Sequence, residues 1–154
     1  MNFPELKITR RHLPHWTMEG AVYFITFRTK EKELSINEQI LLLEHVKSGD
    51  DKYYDLYSAI IMPDHAHLIL KPINEFTLSR IMKGIKGVSA NEINKLRNSS
   101  GQVWQHESFD RIIRDEKEFN EKLIYMFNNP IKKGLIEDTI SYHGWYLNER
   151  FFQL

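Results

Sequence analysis

The chain reads as an α+β sandwich, a mostly antiparallel sheet covered by two or three helices. Three runs rich in β-branched and aromatic residues, at 21–27, 53–61 and 65–71, predict strands. Segments with apolar residues at helical spacing lie between and after them. Met62-Pro63-Asp64 leaves only a turn between the second and third runs. Pro63 cannot donate in a ladder, so a hairpin is expected at the centre of the sheet.

Residues 1–16 hold Arg10-Arg11-His12 and two prolines and read as an irregular arm. Ala21 to Phe27 forms the first strand. Ser35-Ile36-Asn37-Glu38 then fits a capping box. Ile40, Leu43 and Val46 mark the inward face of the helix it opens, and Ser48-Gly49-Asp50-Asp51 ends it. Lys71-Pro72 closes the third strand. Thr77 can cap a second helix with Leu78, Ile81, Met82, Ile85 and Val88 as its apolar stripe. Asn98 to Gly101 is a loop, and Val103-Trp104-Gln105 and Asp110 to Arg114 supply short extended segments. Asp115 at an N-cap with Glu118 three residues on opens a third helix. It should stop near Asn128, because Pro130 blocks continuation. No element is assigned after Gly134.

The 154 residues suit one domain spanning 1–154. A content of 42% apolar and 27% charged residues is ordinary for a soluble globular protein. No apolar run approaches the roughly 20 residues that span a bilayer, and Met1 to Lys7 lacks the apolar stretch of a signal peptide. The absence of cysteine excludes disulfides and zinc–thiolate sites and fits a reducing, cytoplasmic home. Any metal must be held by His, Asp, Glu, Asn or Gln. Lys plus Arg number 21 and Asp plus Glu 21, so a nucleic-acid-binding surface would need its positive charge focused on one face.

Two features carry candidate chemistry. In His65-Ala66-His67 the alternation of a strand puts both imidazoles on one face and Ala66, Leu68 and Leu70 on the other. Histidines roughly 7 Å apart along a strand can share one metal ion, but two polar residues on a solvated face fit the spacing equally. On the third helix, Phe119, Leu123, Ile124, Met126 and Phe127 gather on one side and Glu121, Tyr125, Asn128 and Asn129 on the other. Tyr125 is thus offered to something polar, and Asn129, one turn on, is its neighbour. A phenol nucleophile beside an amide ligand is a workable pair. An exposed Tyr and a helix-terminal Asn before Pro130 would give the same pattern.

Together these pieces resemble a known family. Met62-Pro63-Asp64-His65-Ala66-His67 looks like the HUH motif with its lead-in. Val103-Trp104-Gln105, Ser108-Phe109-Asp110-Arg111 and Ile113-Arg114-Asp115-Glu116 look like the family's middle block. Tyr125-Met126-Phe127-Asn128-Asn129-Pro130, followed by Ile131-Lys132-Lys133-Gly134-Leu135-Ile136, looks like its tyrosine block. The blocks fall in order over residues 10–140 and resemble single-tyrosine HUH transposases, in their REP-associated branch. The resemblance implies a ferredoxin-like (RRM-like) sheet with the histidines on a central strand. It also implies Mg²⁺ or Mn²⁺ held by His65, His67 and Asn129, the last where insertion-sequence members often carry Gln, with Asn128 as the fallback ligand. Tyr125 would cut single-stranded DNA as a 5′-phosphotyrosine, on palindromic hairpins, and a second 3′-OH would reverse the bond. The protein would act as a monomer or homodimer.

DNA contacts are expected from Arg10 and Arg11 on the arm, and from Arg80, Lys83 and Lys86 as a ridge on the second helix. Arg111 and Arg114 in the middle block and Lys132 and Lys133 after the tyrosine complete the set. His106 and Glu107 could support the site from behind, and Trp16, Trp104 and Trp145 fit either core or base-stacking roles. Two rival functions remain: a hairpin-DNA-binding module that does not cleave, and a histidine-triad nucleotide hydrolase, which would want a third alternating His where Ile69 stands.

Overall fold

The computed structural model describes residues 9–10 and 20–153. Seven strands and three α-helices follow in the order β1 (Thr9–Arg10), β2 (Val22–Arg28), α1 (Ile36–Ser48), β3 (Tyr54–Ile61), β4 (His65–Pro72), α2 (Leu78–Arg97), β5 (Phe109–Ile113), α3 (Glu116–Lys132), β6 (Trp145–Leu147) and β7 (Phe152–Gln153). A 3₁₀ turn at Thr139–Ser141 precedes β6.

The main sheet runs β5-β2-β4-β3-β6, with every neighbouring pair antiparallel. The β2–α1–β3 crossover leaves a gap between its strands, and β4 returns through the Met62–Asp64 turn to fill it. This is the expected ferredoxin-like α+β sandwich, with β6 added at one edge.

β4 is buried on both sides. Ala66, Leu68 and Leu70 pack with Ile81, Met82 and Ile85 of α2 and Leu42 and Val46 of α1. Ile69 joins Phe119, Leu123 and Met126 of α3 on the opposite side. A bulge between Leu56 and Ser58 breaks the alternation of β3. Tyr57 and Ile60 thereby face α3, while Leu56, Ala59 and Ile61 face α1 and α2.

All three capping predictions hold. Ser35 and Glu38 form a reciprocal capping box, and the Asp115 side chain accepts from the Glu118 amide. Thr77 caps α2 by accepting from the Arg80 amide.

Four expectations are corrected. Ile40 is exposed, and Gln39 is buried in α1 instead, because its amide donates to the Leu34 carbonyl and accepts from the Tyr142 hydroxyl. Val88 is likewise exposed and Ser89 buried, since Ser89 Oγ accepts from Trp104 Nε1 at 3.0 Å. Ile124 of α3 also lies in solvent. Finally, α3 runs through Pro130 to Lys132. Pro130 sits in the last turn, where its missing N–H removes one helical bond and its ring is buried. The amides of Lys133 and Gly134 still close onto Asn129 and Ile131.

The expected irregular arm is partly ordered: Thr9–Arg10 pairs with Phe152–Gln153 in a two-stranded antiparallel sheet. Arg11 and Trp16 lie outside the described residues. Among the described residues, no helix is long and apolar enough to cross a membrane.

Candidate active site

β4 and α3 bring the two candidate features together. His65 and His67 are 5% and 3% exposed, and both turn toward α3. Their rings lie 4.8 Å apart, centroid to centroid. Asn129 of α3, also buried, places its amide nitrogen 3.3 Å from His65 Nε2. The Tyr125 ring stands 5.4 Å from the His67 ring and is half exposed, open to an incoming substrate. The helical spacing of Tyr125 and Asn129 therefore delivers the phenol and the amide to the same pair of histidines.

Each imidazole is held from behind through Nδ1. His65 Nδ1 meets the Asp64 carboxylate at 2.6 Å, and His67 Nδ1 meets the Thr26 hydroxyl at 2.7 Å from the facing strand β2. Asp64 thereby fixes the tautomer of His65, with the proton on Nδ1 and the lone pair on Nε2. His67 Nε2 is buried with no partner. A buried polar atom left this way costs stability unless something else binds it.

Burial is the largest influence on both rings. It pushes His65 below its ordinary value against the Asp64 carboxylate, and it pushes His67 down to about 3, helped by the charge of His65. Burial also pushes the Asp64 carboxyl up, but the hydrogen bond and charge of His65, with the Asp64 backbone amide and Arg28, together outweigh it and leave Asp64 lowered. Both imidazoles are neutral at pH 7, the state that binds a metal.

The donor set fits a divalent cation. Two neutral imidazoles lie 4.8 Å apart with each Nδ1 already engaged, which leaves Nε2 of each for a ligand, and the Asn129 amide beside His65 can present its oxygen by rotating about its terminal bond. Among the described residues no group of three His, Cys, Asp or Glu is placed to hold a metal ion, and the candidate third ligand is an amide. Asn129 is the amide beside His65, while Asn128 has its oxygen buried without a partner.

The expected cations divide by location. Lys133 lies close enough for its charge to be felt at His65. Arg111 is ion-paired with Glu118, and the Arg114 amide donates to the same carboxylate. Lys132 lies in the last turn of α3. Arg80, Lys83 and Lys86 sit on α2, across the sheet from the histidines, and do not join the site. There Arg80 lies over the Phe76 ring at 5.3 Å. Lys86 is bound to the Gln105 and His106 carbonyls and to Ser108. Lys83, His106 and Trp104 line a cleft of about 660 Å³ between α2 and the loop before β5. Trp104 is core, and Trp145 packs edge-on against Phe127 at 5.4 Å. His106 and Glu107 are exposed in that loop, away from the histidines.

Sequence reasoning assigns no role to Thr26, Asp64, Arg28 and Lys122, which surround the histidine pair. Arg28 is the register partner of His65. The Lys122 ammonium lies 5.0 Å above the Phe24 ring, which in turn stacks on His67. Lys122 could have been found as the residue three before Tyr125 on one helix face, and Asp64 as the carboxylate next to a candidate ligand. Thr26 and Arg28 need the pairing register of β2 with β4, which no local pattern supplies.

A histidine pair on a central strand, faced by a tyrosine helix across one side of an antiparallel sheet, is the arrangement of the single-tyrosine HUH transposase class. Residues 18–114 match the family described as Transposase IS200 like, and the chain belongs to that family. The matched stretch includes both histidines and ends before α3, so the place of Tyr125 rests on the geometry. A Haemophilus influenzae protein assigned as a REP-associated tyrosine transposase is 24% identical, over 77% of this chain and 75% of that protein. The REP-associated tyrosine transposase of Escherichia coli K12 is 23% identical, over 79% of this chain and 73% of that protein. The fold matches a solved REP-associated tyrosine transposase bound to a REP hairpin, with a TM-score of 0.66 at 19% identity, covering 88% of this chain and 81% of that one.

Proposed function

We propose that the protein is a metal-dependent single-strand DNA endonuclease and strand transferase that acts on hairpin DNA through a 5′-phosphotyrosine. The observation that carries this reading is the orphaned, buried Nε2 of His67, on a ring 4.8 Å from that of His65, whose own Nε2 meets the Asn129 amide at 3.3 Å, with the Tyr125 ring 5.4 Å from His67. Family membership and the hairpin-bound relative support the substrate class.

The residues divide the work. His65, His67 and Asn129 would hold Mg²⁺ or Mn²⁺, which when bound stabilises charge on the phosphoryl oxygens and orients the group. Asp64 and Thr26 keep the imidazoles turned so that Nε2 is offered. Tyr125 Oη forms a bond to phosphorus as the bond to the 3′ oxygen breaks. The phenolic proton goes to water, and the departing 3′ oxygen takes one up. One phosphate ester replaces another, so a second 3′-OH can reverse the step without external energy. The nucleophile and the ligands come from one chain, so this site is complete in a monomer. Arg80 and Lys83, across the sheet, would hold flanking DNA by phosphate contacts instead of touching the reacting atoms.

Hairpin DNA incubated with protein and Mn²⁺ is expected to give a covalent adduct that Tyr125→Phe abolishes. An adduct that persists in that variant would remove Tyr125 as the nucleophile. Tight hairpin binding with no adduct under any divalent metal would favour the binding module instead.

A further inference from the structure

Most arginines with a defined partner in this fold are already engaged by carboxylates. Arg97 is bound to Glu38, Arg111 to Glu118, and Arg150 to Asp50 and Asp55. Arg28 differs. It is exposed at the end of β2, and among the described residues its side chain makes no hydrogen bond or ion pair. It is also the one closest to the candidate chemistry. Its register places it opposite His65, and the alternation of β2 puts it on the same face as Thr26, which holds His67. Its charge is felt at Asp64, His65 and His67.

A cation in this place is unfavourable for binding a metal ion, since like charges repel across a short gap. Surface arginines are commonly ion-paired where a carboxylate is near, yet here Asp64 is committed to His65 instead. The guanidinium is left with its donors free of protein partners among the described residues, one strand over from His65. A planar fork of donors suits the non-bridging oxygens of a phosphate.

We propose that Arg28 is a catalytic residue that grips the scissile phosphate at the His65 end of β2, while Tyr125 attacks from beside His67. This rests on the cleavage reading above. Arg28 neutralises charge on the pentavalent phosphorus centre as Tyr125 attacks, and it orients the non-bridging oxygens. A fixed guanidinium does this with no rearrangement at the moment of reaction. Lys122, over Phe24, is mounted on the tyrosine helix itself. Arg28 is instead a cation fixed to the same sheet as the two histidines, independent of any movement of α3.

The role predicts opposite signs for two readouts. Arg28→Gln should slow single-turnover adduct formation with saturating hairpin DNA and Mn²⁺ by about 10²–10³-fold. Its affinity for Mn²⁺ alone, measured by titration calorimetry on the DNA-free protein, should be unchanged or tighter. Arg28→Lys should recover part of the rate, since it restores charge without the fork. An unchanged rate in Arg28→Gln, with wild type active, overturns the assignment and leaves the cleavage reading standing. A loss of Mn²⁺ affinity that matches the loss of rate also overturns it, because Arg28 would then act by shaping the ligand site. If wild-type protein forms no adduct, the cleavage reading fails and the Arg28 assignment fails with it.

Discussion

The two faces of the central sheet are built to different standards. Under α1 and α2 the core is apolar, and its polar members are satisfied: Ser89 by Trp104, Gln39 by Leu34 and Tyr142, and Glu38 by Arg97 and Ser35. Under α3 the apolar packing of Phe119, Leu123 and Met126 gives way, toward one end, to two buried imidazoles, one of them with an unanswered nitrogen. Residues 66 and 67 are chain neighbours yet belong to these different regimes. A satisfied core on one face offsets the cost of an unsatisfied arrangement on the other, which matters because net stability is only a small surplus.

The sharpest way to break this comparison is to change neighbours on opposite faces. His67→Ala should reduce cleavage by more than about 10³-fold and abolish tight Mn²⁺ binding, by loss of a ligand. Leu68→Ala, one residue on, should cost about 2–5 kcal/mol of stability while the molecules still folded cleave at the wild-type rate. Urea denaturation and single-turnover assays on both variants measure this. Equal effects on rate would mean the faces are not functionally separate.

A second test stays within the finished face. Arg97 and Glu38 form a largely buried pair at 2.9 Å. Arg97→Ala should destabilise the fold by about 3 kcal/mol, because it leaves a buried carboxylate unpaired, with no change in adduct rate below the melting transition. Burial pushes the Glu38 carboxyl up, but the hydrogen bonds from Arg97 and Ser35 leave it lowered. Its contribution is therefore present above the ordinary carboxylate value and lost as pH falls through the folded one. A rate that falls in Arg97→Ala would link the two faces.

Acid should affect the site face through His67. The unfolded chain takes up a proton as pH falls below 6.5, while the folded ring resists until about 3. Stability is therefore lost as pH falls through that window, by up to about 1.4 kcal/mol per pH unit. Mn²⁺ should protect, since it binds only the neutral rings. Melting curves at pH 7 and pH 5, with and without Mn²⁺, give the slope. A His67→Ala protein with the same slope would assign the acid sensitivity elsewhere.

The smallest effect belongs to the ridge on α2. Lys83→Ala should lower the salt dependence of hairpin binding by about one unit of slope, with the saturated adduct rate unchanged. A slower saturated rate would place α2 near the cut.

Much of this arrangement could be read from local rules. Ser35 with Glu38, and Asp115 with Glu118, announced two helix starts because a cap is satisfied within four residues. His65 and His67 shared a face because strands alternate, and Tyr125 and Asn129 because helices turn in 3.6 residues. What escaped depended on distant partners. Ile40 and Val88 were assigned to the core by spacing, but Tyr142 and Trp104 brought Gln39 and Ser89 inside instead. Pro130 was taken as a stop, although a proline in a buried last turn loses only one bond. Arg28 and Thr26 were invisible because their place follows from which strand lies beside β4. The α2 ridge showed its charges but not the side of the sheet that carries them.

Gly144 has a consequence for how tolerances are shared along the chain. Its carbonyl accepts from the Ile61 amide at 2.8 Å, and a Cβ there would run into the Ile61 carbonyl and the Tyr142 ring. The segment it seats grips α3 from the far end, through Thr139 on the Phe127 carbonyl and Trp145 against the Phe127 ring. Two residues before Phe127 stands the phenol, and two after it the amide ligand. Alignment of reacting atoms is sensitive to displacements of a fraction of an ångström. A single methyl group at the β6 edge of the sheet can therefore act as a misadjusted set-screw, detuning a reaction whose own residues are all intact.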